Sequence, residues 1–198
     1  MSSVDIVNKH FEDSIAARIE TANILPPFIA EAAQTIVSSL INGGRVLVCG
    51  NGRSAALSQI FSSSLLNTFD MERPPLPAIS LSSDISTITS IASDSDFSQV
   101  FAKQIAAIGN EADVLLTISS SGNSANIIEA IKEAQSLDIK TIALTGKNDN
   151  SIANILQTDD IELQIPSTQA IHIHDNHTLI INSICDLIDR KLFTGLED

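Results

Sequence analysis

A chain of 198 residues is of ordinary size for one folded unit, and 43% hydrophobic against 18% charged residues excludes a disordered chain. Its longest apolar runs fall far short of the ~18–20 residues of a membrane span. Eleven Lys and Arg against 24 Asp and Glu leave a net charge of −13, which argues against a direct grip on nucleic-acid phosphates or on an anionic membrane.

The first residues lack a basic start, an apolar core and a small-residue cleavage site, so a cytoplasmic location is expected. Residues 4–42 carry helical spacing interrupted at Pro26–Pro27, which predicts two N-terminal helices, since proline is tolerated at a helix start but not inside one. After Gly43–Gly44 the apolar run Arg45–Cys49 reads as a buried strand, and similar runs recur at Pro77–Leu81, Val114–Ile118, Ile139–Leu144 and Ile161–Ile165. Helical stretches lie between them: Ser54–Asn67, Asp84–Ser93 with Phe97–Ile108, Ser124–Leu137 and His174–Lys191. Strands alternating with helices predict crossover units and a mostly parallel sheet covered on both faces. Residues 1–198 are expected to form one domain, with a helical extension over 1–42 and an α/β core over 43–198. Cys49 and Cys185 sit in apolar surroundings and read as buried thiols.

In such sheets ligands bind at the carboxyl ends of the strands. Two junctions stand out there: Cys49-Gly50-Asn51-Gly52-Arg53-Ser54 after the first strand, and Ser119-Ser120-Ser121-Gly122-Asn123-Ser124 after the third. Both place small residues and hydroxyls where a helix N-terminus leaves backbone N–H groups unpaired. Serine hydroxyls donate to phosphate oxygens without adding net charge, which reconciles an anion cradle with a very acidic chain. The plainer alternative makes Ser54 and Ser124 N-caps and the glycines turn residues. The pattern is neither a P-loop nor a G-x-G-x-x-G fingerprint.

Three of the four histidines fall in His172-Ile173-His174-Asp175-Asn176-His177. His174 and His177 share a helix face at i, i+3, yet His172 and His174 do not, so hydrogen-bonded or interface histidines are favoured over a metal site. No nucleophile elbow, cysteine–histidine pairing motif or catalytic carboxylate pair is recognisable.

Four segments carry a resemblance: Cys49–Ser54, Glu72-Arg73-Pro74-Pro75-Leu76-Pro77-Ala78-Ile79, Asp113–Ser124, and Ala143-Leu144-Thr145-Gly146-Lys147. Together they make the chain, from about Val4 to Phe193, similar to the sugar isomerase (SIS) domain family and more narrowly to its phosphoheptose isomerase branch. The resemblance implies a three-layer α/β/α sandwich with a five-stranded parallel sheet, doubly wound and flavodoxin-like, with two extra N-terminal helices. It also implies a homotetramer with sites at subunit interfaces, and a site for a sugar phosphate or phosphate ion. The residues implied for that site are Asn51, Gly52, Arg53, Ser54, Asp94, Ser119, Ser120, Ser121, Asn123, Ser124 and His174.

Isomerases of this branch move a proton through an enediol, which calls for an acid/base pair and, in this family, zinc. Their His and Glu at i, i+4 on the helix after the first loop fall on Ile60 and Ser64 here, and their later Gln and His fall on His174 and Asn182. Isoleucine binds no metal, serine is a poor zinc ligand, and asparagine shuttles no proton. This departure leads to the expectation of a non-enzymatic protein without metal or cofactor. Within the branch the run Asn182-Ser183-Ile184-Cys185-Asp186-Leu187-Ile188-Asp189, followed by Leu192-Phe193 and the acidic Glu197 and Asp198, resembles the DnaA initiator-associating proteins. That resemblance implies a tetrameric adaptor for a DnaA-type initiator, with Leu192 and Phe193 as partner-binding residues; a zinc-dependent sedoheptulose 7-phosphate isomerase is the alternative. Arg53, where the isomerases carry glycine, is expected to fill part of the sugar pocket or to pair with a carboxylate such as Asp94.

Overall fold

Proline decides where the chain first turns. Helix α1 (Ser3–Ile24) stops one residue before helix α2 (Pro26–Ile41), whose first two positions are the prolines, where a missing N–H costs nothing. The start of α1 is fixed by a reciprocal cap: Ser2 Oγ accepts from the Asp5 N–H at 3.1 Å and the Asp5 carboxylate accepts from the Ser2 N–H at 2.7 Å. The computed structural model of the chain describes residues 1–148 and 151–196; the acidic Glu197 and Asp198 lie outside the described residues.

Five short strands follow: β1 (Val46–Gly50), β2 (Ala78–Ser80), β3 (Val114–Ile118), β4 (Lys140–Gly146) and β5 (Ile161–Ile165). They pair in parallel in the order β2-β1-β3-β4-β5. The register sets Val46 beside both Ala78 and Val114, and Ile142 beside Ile161. The helices between them are α3 (Arg53–Leu66), α4 (Ile85–Asp94), α5 (Ala102–Ile108), α6 (Ala125–Ser136) and α7 (Ala170–Phe193), with a 3-10 turn over Phe97–Gln99.

Because strand residues alternate between faces, each strand feeds two cores. Val46, Val48, Leu116 and Leu144 join Ile36, Phe61 and the Ile173–Ile188 side of α7 on one face. Leu47, Cys49, Leu115 and Ala143 join Ile105, Ile127 and Ile131 on the other. The α/β sandwich expected from the alternation of elements is therefore the observed fold. Several boundaries move, and for local reasons. Helix α7 begins at Ala170 rather than His174, and Phe97–Ile108 is not one helix but a 3-10 turn and a separate α5. Asp96 caps the 3-10 turn by accepting from the Ser98 N–H at 2.8 Å, a local bond that competes with helix continuation. Among the described residues no single helix is long and apolar enough to cross a membrane.

Of the apolar surfaces on the first and last helices, one is left over. Ile180, Ile181, Ile184 and Ile188 of α7 are consumed by the core, with Leu187 partly buried against it. Helix α1 buries only Ala17 and Thr21 and leaves Val4, Val7, Phe11, Ile15 and Ile19 exposed.

Candidate functional site

The sheet order reverses between β1 and β3, and a crevice opens at such a switch point beyond the carboxyl ends of the strands. The loops after these two strands are the serine and glycine junctions marked in the sequence. In the first, Gly52 takes a φ of +55° at the N-cap of α3, a left-handed conformation that glycine adopts without strain. In the second, Ser124 is the N-cap of α6 by position, yet its hydroxyl makes no cap bond. It lies 3.4 Å from Ser121 Oγ, which lies 3.5 Å from Ser119 Oγ. Three hydroxyls thus line up at a helix N-terminus whose first-turn N–H groups carry the positive end of the dipole, an arrangement chemically suited to a phosphate.

Neutral hydrogen bonds hold this cradle in shape. Asn51 and Asn126 exchange two bonds, at 2.8 and 2.9 Å, and so tie the two loops together. The Ser119 hydroxyl accepts from the Gly122 N–H at 3.2 Å. The Ser120 carbonyl accepts from Asn148 Nδ2 at 3.0 Å, and the Gly122 carbonyl accepts from the Ile152 N–H at 2.9 Å. At the end of β4, a Cβ on Gly146 would lie 2.8 Å from the Ser120 carbonyl oxygen and 2.4 Å from Ile173 Cδ1. The first turn of α7 therefore presses directly against the serine loop, and glycine is what lets it.

Of the residues marked from sequence, the structure gathers Asn51, Gly52, Arg53, Ser54 and the Ser119–Ser124 run around the crevice. Asn51 is committed to Asn126, however, and Ser54 is buried in the first turn of α3 rather than capping it. Asn123 is exposed. Asp94 ends α4 on the surface, and the Arg53–Asp94 pair expected from sequence is not formed: among the described residues Arg53 makes no ion pair. Its charge acts on His174 instead. Burial and then the charge of Arg53 hold the His174 imidazole below its ordinary pKa, against a smaller opposing pull from Asp175.

The positions where the resemblance puts the branch's acid, base and zinc ligands lie on α3, at Ile60 and Ser64, and on α7, at His174 and Asn182. Ile60 is 46% exposed there, and Ser64 is half-buried beside Cys185. Asn182 is exposed, while His174 is half-buried with Nδ1 enclosed and unpartnered. One alkyl group, one hydroxyl, one carboxamide and one imidazole do not make a zinc site. Among the described residues no group of three His, Cys, Asp or Glu is placed to hold a metal ion. Zinc does not fit this donor set.

Of the other two histidines of the cluster, His177 is hydrogen-bonded into the fold, while both ring nitrogens of His172 are enclosed without a partner. His177 is buried and donates from Nε2 to the Thr145 carbonyl at 3.0 Å; burial brings its pKa down from 6.5 to about 4. His172 is 4% exposed beneath α1. Cys49 and Cys185 are free and buried, and burial, with Asp189 a lesser cause, pushes the Cys185 thiol up to about 12.

A buried ion pair went unseen in the sequence. Arg73 Nε donates to Asp189 at 2.8 Å, and both side chains are almost fully enclosed. The same guanidinium donates to the carbonyls of Ser64, Leu65, Asn67 and Pro74. It clamps the end of α3 to α7 below the site. Arg73 stands in one of the segments that carry the resemblance, but only the fold brings Asp189 to it, 116 positions later. At the far end of α7, Leu192 packs against the core and Phe193 is 38% exposed.

A family model described as the SIS domain matches residues 10–146. The chain is 48% identical over 188 residues to a phosphoheptose isomerase of Chromohalobacter salexigens, covering 95% of each chain. It superposes on the structure of a phosphoheptose isomerase from Francisella tularensis with a TM-score of 0.91 and 53% identity, over 96% of this chain and 100% of the other. The phosphoheptose isomerase GmhA from Neisseria gonorrhoeae gives 0.90 and 40%, over 95% and 99%. These relatives correct the expectation of a non-enzymatic adaptor: at this identity and coverage the named function is an isomerase. The side chains at Ile60, Ser64 and Asn182 close the zinc-dependent route, which is not the same as closing every route for a proton shift.

Proposed function

The chain belongs to the SIS domain family, and on that premise we propose that it is a sugar-phosphate isomerase of the phosphoheptose isomerase kind, interconverting sedoheptulose 7-phosphate and an aldoheptose 7-phosphate. The observation that carries the reading is the row of Ser119, Ser121 and Ser124 hydroxyls at the N-terminus of α6, in the switch-point crevice. The phosphate docks on those hydroxyls and first-turn N–H groups, and the sugar chain runs along α3 and α7 past Arg53 to His174. Incubation with sedoheptulose 7-phosphate, followed by phosphorus NMR, is expected to give an equilibrium mixture of ketose and aldose phosphates. No conversion by micromolar protein over hours would overturn the reading.

The homotetramer belongs to the same proposal. Support comes from the exposed stripe Val4, Val7, Phe11, Ile15 and Ile19 on α1, which a symmetric copy would cover. A cytoplasmic location rests on the two free, buried cysteines. Contact with a DnaA-type initiator is supported by the net charge of −13 and by exposed Phe193, and not by Leu192, which is packed. Light scattering and a pull-down with Phe193→Ala test these two points.

A further inference from the structure

Resting on the isomerase reading, we infer that this site works without a bound zinc ion, and that His174 is the single base that carries the proton between the two carbons of the substrate. The inference starts from the donor set. Ile60, Ser64 and Asn182 leave no metal-binding partner for His174, and no other trio of His, Cys, Asp or Glu among the described residues replaces them.

What remains is a well-placed imidazole. His174 lies in the first turns of α7, next in the chain to Ile173, whose side chain meets Gly146 at the end of β4 beside the Ser120 carbonyl. Nδ1 is enclosed, so Nε2 is the ring nitrogen assigned to the substrate proton. Three charged or titratable groups face it: Arg53 at the start of α3, and Asp175 and His177 on α7 itself. Burial and Arg53 favour the neutral ring, so the free base is present at neutral pH.

A cis-enediol needs only one such base, because C1 and C2 present their protons on one face. Neutral His174 takes the proton from C1 of the ketose, and the C–H electron pair becomes the C1–C2 double bond as the carbonyl π electrons move onto O2. The imidazolium then returns the proton to C2. The hydroxyl proton of O1 ends on O2, a transfer between adjacent oxygens, and C1 becomes the aldehyde carbonyl. Arg53 is the nearby cation that offsets the negative charge carried by the enediolate. No metal, oxidant or second side-chain base enters the balance.

The test takes the full chain, purified without added metal and treated with a chelator. Metal content by mass spectrometry is expected far below one zinc per chain, with turnover of sedoheptulose 7-phosphate unchanged by the chelator. The kcat/KM profile is expected to fall on an acid limb below pH 6.5, the ordinary histidine value. His174→Gln is expected to lower kcat by roughly 10²–10⁴-fold and to abolish exchange of substrate hydrogen with deuterated water. The variant should keep its affinity for sedoheptulose 7-phosphate within a few-fold, which shows that fold and cradle survive. One zinc per active chain, or turnover lost to the chelator, overturns the metal-free site and leaves the isomerase reading standing. Full activity with an unshifted pH profile in His174→Gln overturns the role of His174 alone. A wild-type chain that binds the sugar phosphate yet neither turns it over nor exchanges its hydrogen overturns the isomerase reading and this inference with it.

Discussion

The phosphate cradle and the α3/α7 face stand side by side but are built by different means. The cradle is held by neutral hydrogen bonds, one within the serine loop between Ser119 and Gly122 and one pair joining Asn51 of the first loop to Asn126 in the first turn of α6. The α3/α7 face rests on one fully buried ion pair, Arg73 with Asp189. In the cradle nearly every residue of the branch's pattern is present, whereas on the helix face all four functional side chains differ, His174 standing where the branch carries Gln. Binding a phosphate draws on the serine hydroxyls and on first-turn backbone N–H groups that the fold itself imposes, so it does not depend on the side chains of α3 and α7. Chemistry depends on individual side chains projecting from helices, and is altered by single substitutions.

The largest expected effect falls on the helix face. Arg73→Ala leaves the Asp189 carboxylate buried without its partner and strips several carbonyls of their donor, so a loss of about 3–5 kcal/mol is expected by urea denaturation. A loss below about 1 kcal/mol would show that the clamp is not what joins α3 to α7.

Next comes a pH dependence at the point where α7 meets the sheet. The folded pKa of His177, about 4, lies below its ordinary value of 6.5, so the unfolded chain binds the extra proton between these values. Stability is therefore full above about pH 6.5 and falls as the pH drops toward 4, by roughly 3 kcal/mol from this group at most. Denaturation midpoints across that window measure it, and His177→Gln should flatten this part of the profile.

Most of the fold was legible because hydrophobic alternation and turn residues act locally. Val114–Ile118 and Ile161–Ile165 were read to the residue, and the proline break in the N-terminal helices falls where steric reasoning puts it. The serine loop was legible for the same reason, as a strand end followed by a helix N-terminus. Arg73–Asp189 and Asn51–Asn126 were not, since each joins positions 75 or more apart that only the finished sheet brings together. Burial of the α7 isoleucines is not legible, because an apolar helix reads alike whether its own core or a second chain covers it. Absent ligands at Ile60, Ser64 and Asn182 were legible too, but their functional weight was not: a missing side chain says which route is closed, not which one is used.

A smaller effect tests whether the two regions communicate. Gly146→Ala places a methyl against both the Ser120 carbonyl and Ile173, so either the loop or the first turn of α7 must give way, at about 1–3 kcal/mol. Sugar-phosphate affinity is expected to fall severalfold, since the serine hydroxyls move with Ser120. Unchanged affinity would mean that the loop holds its shape without α7.

The separation of binding from chemistry is tested most directly by calorimetric titration with a heptitol 7-phosphate, which carries the phosphate but has no carbonyl to isomerise. Ser121→Ala with Ser124→Ala removes two hydroxyls of the cradle, each worth about 0.5–1.5 kcal/mol, and should weaken binding roughly tenfold or more, whereas His174→Gln should bind as the wild type does. Equal losses in both variants, or no loss in the serine variant, would contradict a phosphate cradle that stands apart from the proton-carrying face.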